Sequence, residues 1–201
     1  RLIGQYQSGV QGGQKRAYVI WTRLIRPDVA IFTNILPAHL EYHGNLATVA
    51  ERKSAIFEGI RPGGVAVLNR EMDEWARVHL AARSRGLRVI NYGRSPDCEA
   101  RLVEYDPQSR RARARIGGRD LDFAMGAAGE HMALNALAVL AALSALDCAL
   151  ERALPRLASF APLEGRGREL EAVIEGRRVL LLDEAYNANP GSMEAALALL
   201  G

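Results

Sequence analysis

Lysine is nearly absent from this chain of 201 residues: Lys15 and Lys53 are the only two, and the remaining positive charge is arginine. That scarcity makes each lysine worth separate attention. Cysteine is scarce as well. Cys98 and Cys148 lie far apart and form no C-x-x-C pair, which fits reduced, structural thiols in a cytoplasmic protein. No apolar run is long enough to span a bilayer; the longest apolar-rich stretch, residues 133–150, carries Asn135, Ser144 and Asp147. No signal peptide opens the sequence. The net charge of +3 is small, and no aromatics interleave Arg111, Arg113 and Arg115. A nucleic-acid partner is therefore not expected. The chain opens at Arg1 and stops directly after a helical pattern, so both ends are read as cut.

What is present is an alternation of strands and helices. Residues 1–20 are rich in glycine and glutamine and have no clear period. Val29–Thr33 reads as a buried strand, followed by a helical pattern from Leu46 to Ile60 with Asn45 as its cap. A strand at Val65–Leu68, a helix at Asp73–Arg85 and a strand at Arg88–Tyr92 come next. Such alternation predicts a mostly parallel sheet with helices on its faces, an α/β fold. The pattern then changes to three strands, Arg101–Tyr105, Arg111–Ile116 and Leu121–Met125, which predict a small antiparallel sheet. Helices over Glu130–Leu146 and Leu150–Phe160, strands over Leu170–Ile174 and Val179–Leu182, and a final helix Met193–Leu200 capped by Ser192 complete the reading.

Two tempting motifs fail on spacing. Gly9-Val-Gln-Gly-Gly-Gln-Lys15-Arg16 lacks the hydroxyl residue and the glycine-lysine pair of a phosphate loop. His39-Leu-Glu41-Tyr-His43 is H-x-E-x-H, not the H-E-x-x-H of a zinc protease. Three other segments are better candidates. Gly129-Glu-His131-Met-Ala-Leu-Asn135 opens an Ala- and Leu-rich helix, and Gly165-Arg166-Gly167-Arg168 is a glycine turn. Asp183-Glu-Ala-Tyr186-Asn187-Ala-Asn189-Pro follows an apolar strand, and the end of a parallel strand is where open α/β sheets collect ligands.

Taken together, the segments resemble the Mur ligases. Thr33-Asn-Ile-Leu-Pro-Ala-His39-Leu-Glu-Tyr-His-Gly44 is similar to the family's "TN…AHLE…G" stretch, and Glu51-Arg-Lys53-Ser-Ala-Ile-Phe57-Glu-Gly59 to its "AKxEIFxGL" helix. Ala66–Asn69 is similar to "AVLN", Gly129…Asn135-Ala-Leu-Ala to "GEHNxxNALAA", and Pro162…Gly165-Arg166 to a "P…GR" turn. Asp183–Met193 resembles "DxSYNANPxSM", the most specific match, which points to the branch that adds D-alanyl-D-alanine. The six segments occur in family order over residues 27–201.

The resemblance implies the central ATPase domain of the family, a P-loop-NTPase-like sheet, over residues 21–201. The UDP-binding domain, the phosphate loop and the C-terminal domain are expected to lie outside the chain. It implies ATP and Mg2+ as cofactors, a UDP-linked muramoyl peptide and D-alanyl-D-alanine as substrates, a cytoplasmic monomer and no membrane partner. On this reading Lys53, as a carbamate, and His39 hold magnesium; Asn135 lies near adenine; Arg166 reaches the phosphates; and Asp183 serves the ribose, with Tyr186 and Asn187 in the same motif. Lys53, His39 and Arg166 are thus the expected catalytic set. Three departures stand beside it: Met132 replaces an asparagine, no acidic residue but Asp28 precedes Glu41, and residues 1–20 do not match. They leave open a relative acting on another substrate, such as a cyanophycin- or folylpolyglutamate-synthetase-like ligase, or a non-catalytic Mur-like module.

Overall fold

The computed structural model describes residues 23–36, 45–186 and 190–200. Six strands form one sheet in chain order: β1 (Val29–Phe32), β2 (Val65–Asn69), β3 (Arg88–Gly93), β4 (Ala100–Asp106), β5 (Arg111–Ile116) and β6 (Arg119–Ala124). The pairs from β1 through β4 are parallel and those from β4 through β6 antiparallel. The antiparallel meander therefore continues the parallel sheet. The switch is local. The turns Asp106–Ser109 and Gly117-Gly118 return the chain directly, with Gly117 and Gly118 at φ 55° and 82°, values that fit a tight hairpin turn.

Strands buried on both faces carry continuous apolar runs, because successive side chains point to opposite sides. In β2, Val65 and Val67 pack into one core and Ala66 and Leu68 into the other. The first core is completed by helix α3 (Glu130–Ala145), whose Ala133, Leu137, Leu140 and Ala141 are buried. The second is completed by α1 (Leu46–Ser54) and α2 (Trp75–Ser84). A sheet between two helical layers results.

Helix α1 begins where the sequence places it: the Asn45 side chain accepts from the Thr48 amide at 2.9 Å. An N-cap asparagine is worth about 1 kcal/mol over alanine, so Asn45→Ala should lower unfolding stability by about that amount in denaturant titration. The helix does not run unbroken to Ile60. It tightens into a 3-10 segment at Ala55–Gly59, and Ile60 is already extended. The predicted helix at 150–160 is likewise two pieces, a 3-10 turn at Leu150–Arg152 and α4 (Leu154–Ala158), because Pro155 cannot donate to a preceding turn and so starts a new one.

The last third departs most from expectation. Strands β7 (Arg168–Ile174) and β8 (Arg177–Asp183) pair only with each other, antiparallel, as a second sheet. Their two-residue turn is Glu175-Gly176, both at positive φ, the geometry that matches strand twist in tight hairpins. Asp183 therefore closes a hairpin strand; the expectation that it ends a strand of the parallel sheet is corrected. Helix α5 spans Pro190–Leu197. Ser192 sits inside its first turn and does not cap it, since Pro190 supplies the preset φ of a first helical residue.

Candidate functional site

Open α/β sheets bind ligands at the carboxyl ends of their parallel strands. Here that edge is organised by Asn69, the last residue of β2 and one of two buried polar residues among those described. Its amide donates to the Thr33 carbonyl at 2.8 Å, and its oxygen accepts from the Glu71 backbone at 2.9 Å. Asn69 thus ties the segment leaving β1 to the turn leaving β2. His39 lies beyond that segment, outside the described residues.

Lys53 occupies the last turn of α1 and is half-buried. Burial holds its ammonium below the usual lysine range, and no described residue forms an ion pair with it. Its neighbour Ser54 is committed to the helix, donating to the Ala50 carbonyl at 2.7 Å.

Arg166 and Asp183 are brought together. One carboxylate oxygen of Asp183 accepts from the Gly165 amide at 2.8 Å and the other from the Ala185 amide at 3.2 Å. Its carbonyl accepts from the Gly167 amide at 2.9 Å, and the Tyr186 amide donates to the Gly165 carbonyl at 3.1 Å. The glycine turn is thereby latched to the loop after β8. Gly165 has φ +73°, and a Cβ there would lie 2.6 Å from the Tyr186 Cβ, so no other residue fits without moving the loop. The Arg166 guanidinium rests 4.3 Å from the Tyr186 ring centroid, a cation–π contact that ties the two loops a second time. Glu184 is held above the usual carboxyl range by burial and by the Asp183 charge. Asn187 lies outside the described residues.

Asn135 stands on the exposed face of α3, its amide 3.9 Å from the Met132 sulfur. Among the described residues no hydrogen bond links it to Arg166 or Asp183. The helix begins at Gly129, φ +99°, whose amide donates to the Tyr105 hydroxyl at 2.8 Å. Burial holds the half-buried His131 below the usual histidine range, favouring the neutral ring. Between the loop that leads into α3 and the β7–β8 hairpin lies a cleft of about 200 Å³. Tyr105, Gly129, Glu169, Leu182 and Leu199 line it, and Asn135, Arg166 and Asp183 do not.

The arginine face of β5 is balanced across the strands: Arg111 pairs with Asp122 at 2.5 Å, Arg115 with Asp120 at 2.7 Å, and Arg113 with Glu104. No surplus positive charge remains there to hold phosphates. Among the described residues no cluster of three or more His, Cys, Asp or Glu is placed to hold a metal, and no helix is long and apolar enough to cross a membrane.

The Mur ligase middle domain model matches residues 13–143, well over half of the chain. The chain belongs to the Mur ligase family. It is 30% identical to UDP-N-acetylmuramoyl-tripeptide–D-alanyl-D-alanine ligase of Escherichia coli, over all of this chain and 44% of that protein. It is also 34% identical to UDP-N-acetylmuramate–L-alanine ligase of Saccharopolyspora erythraea, over 85% of this chain and 35% of that one. The crystal structure of MurF from Acinetobacter baumannii superposes with a TM-score of 0.81 at 29% identity, covering 91% of this chain and 39% of that chain. This Mur ligase chain thus spans less than half the length of those relatives. What sequence reasoning missed is the organising role of Asn69, for which the "AVLN" match was the available signal.

Proposed function

We propose that the chain is the central, ATP-binding part of a longer cytoplasmic ligase that adds D-alanyl-D-alanine to a UDP-linked muramoyl tripeptide. The observation that carries this is the latch between Gly165–Gly167 and Asp183–Tyr186, which joins the turn carrying Arg166 to the loop carrying Asp183. A carboxylate on Asp183 suits ribose hydroxyls, and the planar fork of Arg166 suits phosphate oxygens once it leaves the Tyr186 ring. Asn135, exposed on α3, supplies an amide for a purine edge, and Tyr186 and Asn187 extend the same loop.

The reaction joins a peptide carboxylate to an amine. The carboxylate takes the γ-phosphoryl group of ATP, releasing ADP and leaving an acyl phosphate; the amine then displaces phosphate and loses a proton. Two anions must approach, so positive charge is needed between them. Arg166 provides part of it. Magnesium fits the remaining residues: Lys53 is half-buried, unpaired among the described residues and disposed to the neutral amine that a carbamate requires. A Lys53 carbamate and His39 would hold the ion, which supplies charge neutralisation when bound.

The L-alanine-adding branch is the second reading, favoured by the 34% identity to that relative. The Tyr186-Asn-Ala-Asn-Pro190 segment favours the first. Phosphate release by the full-length protein, offered each acceptor and amine in turn, separates them. Asp183→Asn keeps an acceptor for the Gly165 amide and removes the charge. It should raise KM for ATP about tenfold while leaving KM for the peptide near wild type. A change confined to peptide kinetics overturns the nucleotide assignment.

A further inference from the structure

A chain of polar contacts crosses the carboxyl edge of the sheet and ends on α3. It starts at the Thr33 carbonyl and passes through Asn69 to the Glu71 backbone. One Glu71 carboxylate oxygen accepts from the amides of Arg94 at 2.7 Å and Ser95 at 3.0 Å, folding the turn after β3. Gly93 has φ +153°, and any side chain there would meet the Glu71 carboxylate. The Arg94 carbonyl accepts from Arg101 Nε at 3.2 Å, which fixes the turn from the β4 side. The Arg94 guanidinium then grips Glu130 with both arms, Nε to Oε1 at 2.5 Å and Nη2 to Oε2 at 2.6 Å.

Glu130 is the first residue of α3, a helix with no side-chain cap of its own at Gly129. Both residues of the ion pair are more than two-fifths exposed, so the pair adds little to global stability. Its bidentate geometry instead fixes direction. Arg94 from one side and Tyr105 from the other determine how α3 enters.

We propose that Glu71, Arg94 and Glu130 are positioning residues that set the first turns of α3, and with them Asn135, against the carboxyl ends of β1 to β3. The relay connects the segment leading from β1 toward His39 with the helix that carries Asn135, so the metal side and the purine side share one frame. This assignment rests on the nucleotide reading of Asn135 given above.

In the full-length protein, Arg94→Met should raise KM for ATP about three- to tenfold, with kcat and KM for the peptide within about twofold of wild type. Arg94→Lys should fall between, because a point charge replaces the fork. Adding Glu130→Gln to Arg94→Met should cost nothing more, since both changes cut one link. Additive losses, or equal changes in all kinetic constants, overturn the relay. A full-length wild type with no ATP-dependent ligation on any muramoyl peptide would defeat the nucleotide reading and leave the relay to hydrogen exchange. In that measurement, backbone amides 132–135 should exchange faster in Arg94→Met while those of α2 stay unchanged. Unchanged exchange at 132–135 overturns the relay by itself.

Discussion

Lys53→Ala in the full-length protein should abolish ligation, lowering kcat by about 10²- to 10³-fold or more, the scale on which charge-stabilising groups act in such sites. The argument begins with solvation. Burial penalises the ammonium form, so the Lys53 amine reaches its neutral state at lower pH than an exposed lysine. The neutral amine is the form that takes up carbon dioxide to become a carbamate. The product is an anionic oxygen donor in place of a cation, suited to magnesium. Short carboxylic acids added to Lys53→Ala should restore part of the rate by standing in for the carbamate oxygens. Lys53→Arg should not be rescued, because its guanidinium fills the space with a permanent charge. Wild-type rates in Lys53→Ala would remove the residue from the site.

Phe57→Ala should destabilise the fold by about 3–5 kcal/mol, measured as a shift in denaturant midpoint at constant slope. Phe57 is 2% exposed and sits in the 3-10 segment immediately after α1. Its ring packs on Phe32 of β1, centroids 5.3 Å apart and tilted by 38°. Truncation leaves a void between the helical layer and the sheet, in a core close-packed enough to feel the loss. Phe57→Leu should cost less than about 1.5 kcal/mol, because most of the volume is kept. The two variants also report on Lys53, which lies one turn upstream on the element that Phe57 anchors. A full loss of stability in Phe57→Leu would mean that ring geometry, not volume, holds the segment.

The parallel half of the fold was legible because its signals are local. Val65–Asn69 is apolar at successive positions, which a strand covered on both faces requires, and Asn45 is a cap by its own side chain. The 3-10 tightening after Ser54 was not legible, since apolar spacing at Ile56, Phe57 and Ile60 suits either helix. The pairing of β7 with β8 was concealed for another reason. An apolar strand ending in an acidic residue reads the same in a hairpin as at a parallel edge, and only partner choice separates them. Of the candidate site, Arg166 stands out by its flanking glycines and Asp183 by the loop that follows it. The ion pair between Arg94 and Glu130 joins residues 36 apart in sequence, and nothing in either local segment announces it.

The hairpin of β7 and β8 is joined to the main sheet by no strand pairing, and Val173, Ile174, Leu180 and Leu181 remain largely exposed on it. Arg110, at the turn before β5, donates from Nη2 to both Glu169 carboxylate oxygens, at 2.8 and 2.7 Å, and forms a lateral tie. Opening this unit requires little apolar surface to be surrendered, so it can unfold locally while the six-stranded sheet stays intact. The same opening separates Arg166 from Asp183, because their latch spans both ends of the hairpin. On the proposed nucleotide reading, local unfolding and nucleotide occupancy compete for one set of bonds. A nucleotide held as proposed by Arg166 and Asp183 would act as a fastener: the tighter it binds, the more rarely this corner of the molecule comes undone.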